Sequence, residues 1–586
     1  MNKLRPVAFL LLTLGAFCSL SYAAPSEAQK AKAFANPWET HISRYIVEGA
    51  SVQGAQAAVI RVGGKVRRTL TIINGVSAEL TGEEARKLQS SGELRLFKDA
   101  AVTTKAAPPP PAPPAPKGPK GPKSSASPTT ILTDGTGVAA KRNQYETDYP
   151  ILVGADVLQA RGITGQGVTI AVLDTGLWTG GADNFNPRIL ASVDILNGGH
   201  PVSGDAYGHG THITSIAASG SVTPNGHYFG IAPNANLVIV RAFDGEGQGS
   251  YTNVIAGLGW IVANQQKYKI RVVNLSFGAP PQSNYWDDPL NQAVMAAWRA
   301  GIVVVVSAGN GGPTPMTIGV PGNVPYVITV GAQTDNFTPF DPTDDRLASF
   351  SSTGPTYEGF VKPEMIAPGG HMVGSMSYQS YLANIDPGSM SKDEFLFTMS
   401  GTSQAAAVTS GVVALMLQAD PSLTPDTVKC RLIASANPAV NSSGTLAYSV
   451  FQQGAGLVNA TNAVNSVAAN CANQGLNVSA DIAGTAHFGG PANQDASGNF
   501  YIMDMASSTW GSPLSGDGYT WTQGYTWTQG YTWTQGYTWT QGYTWTQGCA
   551  LNSGYAWSTN LPWWNTRGGL NTAAAPASIE DWVPNE

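Results

Sequence analysis

The sequence is poor in charge: only 12% of its 586 residues are Asp, Glu, Lys or Arg, against 42% hydrophobic and 9% aromatic. That balance excludes a largely disordered polyelectrolyte and fits a folded chain. Cysteine is scarce too, and four residues are too few for a disulfide-dense scaffold. Nor is there a basic excess to attract a phosphate backbone, since the net charge is -6 and the pI near 5.7, so nucleic acid is not an expected partner. No HExxH occurs. His41, His200, His227, His371 and His487 are scattered, so the proximity of His209 and His212 does not point to zinc, and no metal ligands are assigned.

Long apolar runs are also missing at the front. The stretch Val7 to Phe17 falls short of the roughly 20 residues that span a bilayer. With Lys3 and Arg5 before it and Ser21-Tyr22-Ala23 after it, it reads as a secretory signal peptide over residues 1–23, and bulky Phe17 argues against a lipid anchor on Cys18. The expected location is secreted or extracytoplasmic. Export would leave Cys430, Cys471 and Cys549 in an oxidising compartment, enough for one disulfide and one thiol, with the pair undetermined.

Length alone would allow about four domains, but segment composition suggests fewer. Residues 1–128 carry 17 basic and 8 acidic residues, and residues 129–586 carry 15 and 30. A basic front thus precedes an acidic remainder, two pieces expected to attract one another. Within the front, residues 44–103 alternate short apolar stretches (RYIVEG, AAVIRVGG, TLTIINGVSAEL, LRLFKD) with the polar pattern TGEEARKLQSSG, where Thr81 and Glu84 form a capping box. The pattern predicts a small, β-rich α+β unit. Residues 106–128 hold ten of the 39 prolines and predict an extended linker open to cleavage.

From Gly162 strands alternate with helices. VTIAVL, LVIVRAF, RVVNLS, IVVVVSA and YVITVGA read as strands, with helices near 209–219, 251–267, 288–300 and 403–419. The fold class is α/β: three layers, a mostly parallel sheet flanked by helices, with sites expected at the carboxyl ends of strands. Asp174, His209 and Ser403 fall at such places. Each alone could be a cap or turn residue. Together they supply what acyl transfer needs: a hydroxyl nucleophile, an imidazole to take its proton, and a carboxylate to orient that imidazole. Asn310, in SAGNGG, adds an amide donor for an oxyanion, though beside glycines it also suits a turn.

The motifs DTG at 174–176, GHGTH at 208–212, SAGN at 307–310 and SGTS at 400–403 resemble those of the subtilisin-like serine proteases, over roughly residues 150–468. The chain order Asp, His, Ser is the known order of that family, and its meaning here comes from the resemblance. The resemblance implies a serine endopeptidase acting through an acyl-enzyme, with Asp174 orienting, His209 as base then acid, Ser403 as nucleophile and Asn310 as oxyanion donor. It implies an inhibitor-type propeptide at 44–103, hence a zymogen. It further implies that Gly247-Gln248-Gly249 and Ser276-Phe277-Gly278 flank an extended peptide substrate, with Tyr251 and Phe277 offering apolar contacts. No cofactor is expected for the chemistry. Structural calcium is compatible but unassigned, because the stretch after His209 lacks the Asn-rich insertion that binds it in many relatives. Gln404 and Ala407 stand where relatives usually have Met and Pro. Sedolisin-type peptidases, which use Glu and Asp in place of the His base and Asn donor, are excluded by His209 and Asn310.

Beyond an extension at 469–518, residues 519–548 are five copies of YTWTQG, and a Trp-rich tail fills 549–586. The repeats suit a flexible tail, an aromatic surface for glycan or cell envelope, or self-association. The alternative from another class is therefore a surface- or glycan-binding protein carrying an inactive protease fold. Expected partners are protein or peptide substrates and the chain's own propeptide.

Overall fold

The computed structural model describes residues 41–99 and 148–494, apart from 182, 184, 224–225, 335–344, 394 and 441–445, with short strand segments at 132–133, 139–140, 500–504, 509–510 and 549–550. The signal peptide, the proline-rich linker, the YTWTQG repeats and all but the first two residues of the Trp-rich tail lie outside the described residues.

The front unit is an antiparallel sheet with two helices. Strands β1 (Ile42–Glu48), β2 (Lys65–Leu70), β3 (Gly75–Thr81) and β4 (Arg95–Lys98) lie in the order β2-β3-β1-β4. Helix α1 (Val52–Val62) starts at Ser51, whose hydroxyl accepts from Gly54 N, and helix α2 (Gly82–Gln89) starts at the capping box of Thr81 and Glu84. One apolar stretch departs from the β-rich expectation: AAVIRV is the end of α1. Ala55, Ala58 and Val59 share its buried face while Ile60 is exposed, so helical spacing wins over local apolarity.

The main sheet comprises β5 (Thr169–Asp174), β6 (Ile189–Asp194), β7 (Asn236–Arg241), β8 (Ile270–Leu275), β9 (Val303–Ser307), β10 (Ile328–Thr334), β11 (Arg346–Leu347) and β12 (Met365–Pro368). Its order is β11-β10-β9-β8-β5-β7-β6, with β12 also paired to β10, and only β11 runs antiparallel. Helices α3 (His209–Ala218) and α6 (Thr402–Ala419) pack together on one face, and α4 (Tyr251–Ala263) and α5 (Pro289–Arg299) on the other. Every residue of β5 and β9 is buried, which is why these strands read as unbroken apolar runs instead of alternating.

The front unit sits on α4 and α5. Ile46, Leu70, Ile73 and Phe97 join the large core of the sheet domain, not the small core of their own unit. Residues 471–494 are also fastened to the main body: Cys430 and Cys471 form a disulfide, buried Asp481 accepts from Tyr326 Oη (3.1 Å) and His487 Nδ1 (2.8 Å), and Gly490 N donates to Glu358 O (2.7 Å). Of the three pairings that the sequence left open, the structure forms Cys430–Cys471.

Candidate active site

Asp174 is the last residue of β5 and His209 the first of α3, so a strand end and a helix start meet at the carboxyl edge of the sheet. His209 Nδ1 lies 2.8 Å from Asp174 Oδ1 and 3.0 Å from Oδ2, with both side chains 1% exposed. Asp174 Oδ1 also accepts from Thr175 N at 2.8 Å, which fixes the carboxylate. Thr175 Oγ1 in turn accepts from Gly210 N at 2.9 Å, tying the strand end to the first turn of α3. The approach is so close that a Cβ at Gly210 would stand 2.4 Å from Gly176 O. Because a carboxylate only accepts, the contact puts the imidazole proton on Nδ1 and makes Nε2 the basic nitrogen. That Nε2 is buried and has no hydrogen-bond partner.

Ser403, 2% exposed, is the second residue of α6, at the positive end of the helix dipole. Its hydroxyl donates to Ser276 O (3.3 Å), while Ser276 Oγ donates to Ser403 O (3.0 Å). The resting hydroxyl is therefore turned towards the Ser276 carbonyl. A polar chain continues from Ser276 Oγ to Asn274 Nδ2 (2.8 Å) and from Asn274 Oδ1 to Ser410 Oγ (2.8 Å), bracing β8 against α6. Asn310 follows β9, and its Oδ1 accepts from Thr402 N and Thr402 Oγ1, both at 3.0 Å. Asn310 Nδ2 lies on the Gly401 side, 3.4 Å from where a Cβ of that glycine would stand. The structure thus draws Asp174, His209, Ser403 and Asn310 from four elements to one edge of the sheet.

Of the two segments read as flanking a substrate, Gly247 has φ 73° in a turn where Gly247 N donates to Asp244 O (3.1 Å) and Asp244 N to Gln248 O (2.8 Å). Gly249 packs on the Phe243 ring, 2.7 Å from where its Cβ would be. Ser276, Phe277 and Gly278 follow β8 directly. The expectation for Tyr251 and Phe277 is corrected. Phe277 is fully buried with its ring 5.1 Å from that of Phe243, and Tyr251 is fully buried with its hydroxyl donating to Asp288 (3.1 Å). Both rings belong to the core: Tyr251 starts α4 and turns onto the Asp288 cap of α5, and Phe277, just past β8, packs on Phe243.

Sequence reading missed several supporting groups. Asp205 accepts from Gly208 N, Thr211 N and Thr211 Oγ1, all at 2.8 Å, and so caps the helix that carries His209. The signal was available as an Asp four residues ahead of the histidine. His212 is buried and donates from Nε2 to Phe397 O (3.1 Å), and burial pushes its pKa down to about 3. Gln404, visible in the sequence only as a departure, is wholly buried with Nε2 3.4 Å from His212 Nδ1. Among the described residues no group of three or more His, Cys, Asp or Glu is placed to hold a metal ion.

The model of the Subtilase family (peptidase S8) matches residues 165–466. Serine protease AprX of Bacillus subtilis (strain 168) is 39% identical over 307 residues, 52% of this chain and 67% of that protein. Subtilisin DY of Bacillus licheniformis is 31% identical over 310 residues, 53% of this chain and 94% of its own. Fervidolysin of Fervidobacterium pennivorans, described as a keratinolytic enzyme related to subtilisin, shares the fold with a TM-score of 0.55 at 20% identity, covering 83% of this chain and 69% of that one. The family match over more than half the chain, together with these relatives, places the chain in the subtilase family of serine endopeptidases.

Proposed function

We propose that the chain is a secreted endopeptidase, made as a zymogen, in which Ser403 attacks the scissile carbonyl, His209 moves the proton, Asp174 orients His209 and Asn310 holds the oxyanion. The observation that carries this reading is the buried His209, anchored to Asp174 through Nδ1 with Nε2 unpartnered, on a helix packed against the one that presents Ser403. Before acylation the Ser403 hydroxyl turns from Ser276 O to His209 Nε2, a tightening expected when substrate arrives. The turn frees the Ser276 carbonyl, which with Gly278 and with Gly247-Gln248-Gly249 pairs the main chain of an extended peptide. This chemistry runs on side chains and backbone amides without a cofactor, and structural calcium stays unassigned.

In the same reading residues 1–23 direct export and 44–103 act as the propeptide, a partner that the linker at 106–128 releases when cut. The repeats at 519–548 would serve glycan or envelope contact, and their deletion should then lower retention on cell-wall material, with unchanged retention removing that role. The triad assignment is tested with a fluorophosphonate probe, in which the Ser403 oxygen displaces fluoride from phosphorus and the hydroxyl proton leaves through His209. Peptide mapping should find the adduct on Ser403 and lose it in His209→Ala. Labelling elsewhere, or undiminished labelling of His209→Ala, would refute the assignment.

A further inference from the structure

Most large apolar side chains of the described residues are buried, and the exceptions gather in one place. Ten are exposed, and four of these, Tyr378, Tyr381, Ile385 and Phe395, fall within residues 376–395. The other six are aliphatic and scattered, so every exposed Phe, Tyr or Trp ring in the described parts of residues 41–494 lies in this one segment. Single exposed apolar residues need no explanation, but a cluster of aromatic ones marks a contact surface.

The local sequence accounts for the exposure. The Ser380 hydroxyl accepts from Ala383 N (3.3 Å) and starts the short helix Tyr381–Ile385, which buries Leu382 and Ala383. Tyr381 and Ile385, four residues apart, are left on its outer side. At the base of the segment Met376 N donates to Phe395 O (3.0 Å), extending the pairing of β13 (Met372–Ser375) with β14 (Leu396–Met399). The segment also touches the approach to His209. Tyr381 N donates to Ala206 O (2.8 Å), Leu382 N donates to Tyr207 O (3.1 Å), and the Tyr381 ring stacks on that of Tyr207 at 5.6 Å. Tyr207 in turn meets the Gly247 turn, where a Cβ at Gly247 would stand 2.7 Å from the ring, so the exposed segment is continuous with the substrate-flanking one.

The side of the cleft follows from the chemistry. In the roles given above the acyl half of the substrate lies along residues 276–278, and the amine departs beside His209, from which it takes its proton. The hairpin of β13 and β14 packs on the helix of His209: Ser375 N donates to Ser215 Oγ (2.8 Å), and Phe397 O accepts from His212 Nε2 (3.1 Å). We propose that Tyr378, Tyr381, Ile385 and Phe395 form a surface that binds bulky apolar, chiefly aromatic, side chains of the polypeptide downstream of the cleaved bond. This inference rests on the triad and the peptide placement proposed above. Tyr207 is two residues from His209, a span of at most about 7 Å, so an extended peptide leaving the site reaches the surface within about three to five residues. Contact so far from the reacting bond is made alike in the ground and transition states, so it lowers KM more than it raises kcat. The fitting substrate is an unfolded or extended chain, because a folded one buries such residues.

Three peptides test this. Two are identical up to the second residue past the cleaved bond, then carry Phe and Tyr at the third to fifth positions in one and Ser in the other. The third places the same aromatic residues equally far before the bond. The secreted wild type is expected to favour the downstream-aromatic peptide over the Ser peptide about tenfold in kcat/KM, mainly through KM. In the triple variant Tyr378→Ser/Ile385→Ser/Phe395→Ser this ratio is expected to fall below twofold, whatever happens to the rate common to both, while any preference for the third peptide persists. Rates are normalised to sites titrated by the fluorophosphonate, so that misfolded protein does not count. A wild type indifferent to the downstream sequence, a ratio unchanged in the triple variant, or an equal loss with the third peptide overturns the proposal. With an indifferent wild type, a dimer seen in sedimentation and lost in the triple variant would give the surface to a second copy of the chain. If Ser403→Ala still cleaves any of the peptides, the catalytic assignment itself fails, which is a distinguishable outcome.

Discussion

The catalytic centre and the face where the front unit meets the main body both bury a carboxylate, in opposite ways. Asp174 is surrounded by donors: the Thr175 amide and the His209 ring within 3.0 Å. Glu48, 2% exposed at the end of β1, has no aligned donor on either oxygen, although the Arg95 guanidinium lies 3.1 Å away. Burial pushes its pKa up to about 8, and Asp288 and Asp287 across the interface add to the rise. Asp288, which caps α5 through Leu290 N and Asn291 N, is itself raised to about 6, chiefly by burial. One carboxylate is met by hydrogen-bond donors, and the other is desolvated and biased towards its protonated form.

The contrast between the two carboxylates can be attacked at either end. At the catalytic end, Asn310→Ala is expected to lower kcat by roughly 10²- to 10³-fold with the fold intact, the size known for loss of the oxyanion donor in subtilisin. Steady-state kinetics and circular dichroism read it, and a loss under tenfold would remove Asn310 from the site. At the docking end, the sign follows from Glu48. Its pKa is higher in the folded complex than the ordinary 4.5, so the packed state holds a proton that the unfolded chain loses as pH rises. The contribution is fully present below about 4.5 and is lost as pH rises to about 8, by an amount that this shift bounds at roughly 5 kcal/mol. In the full-length Ser403→Ala protein, Glu48→Gln should flatten the dependence of unfolding on pH over that window, and an unaltered slope would show that Glu48 does not control it.

Smaller effects bear on the same interface. Phe97 is 5% exposed and sits in the large core, so Phe97→Ala should cost about 3 kcal/mol, read by denaturant unfolding of full-length Ser403→Ala. A cost under about 1 kcal/mol would mean that the front unit lends nothing to that core. Salt should matter least. The opposed net charges of the two pieces suggest long-range attraction, but the one ion pair between them among the described residues, Arg95 with Asp287 at 3.6 Å, is half exposed on both sides. Raising salt is expected to change unfolding by about 1 kcal/mol or less, and a larger loss would restore the electrostatic explanation.

Legibility in the sequence followed the same divide. The buried strands of the sheet stood out because parallel strands covered on both faces leave no polar alternation, and the triad residues stood out because each lies at a strand end or helix start within a motif. The front unit is less legible. AAVIRV has the composition of a strand, and only the Ser51 cap and the i, i+3, i+4 spacing of Ala55, Ala58 and Val59 make it helical. Tyr251 and Phe277 lie in the core and not towards substrate, because chain position does not say which way a ring turns. Gln404 is visible as a departure, but its orientation depends on Phe397 and His212, which meet it only in three dimensions.

If Ser403 makes this chain a protease that also processes itself, the secreted protein carries the record at its ends. The decisive experiment expresses the wild type and Ser403→Ala, sequences the secreted termini, and challenges both with a denatured protein. Self-processing requires a wild-type product that begins beyond the front unit and degrades the substrate, beside a Ser403→Ala protein that keeps residues 44–103 and degrades nothing. Identical termini in the two proteins, with no cleavage by either, would contradict it.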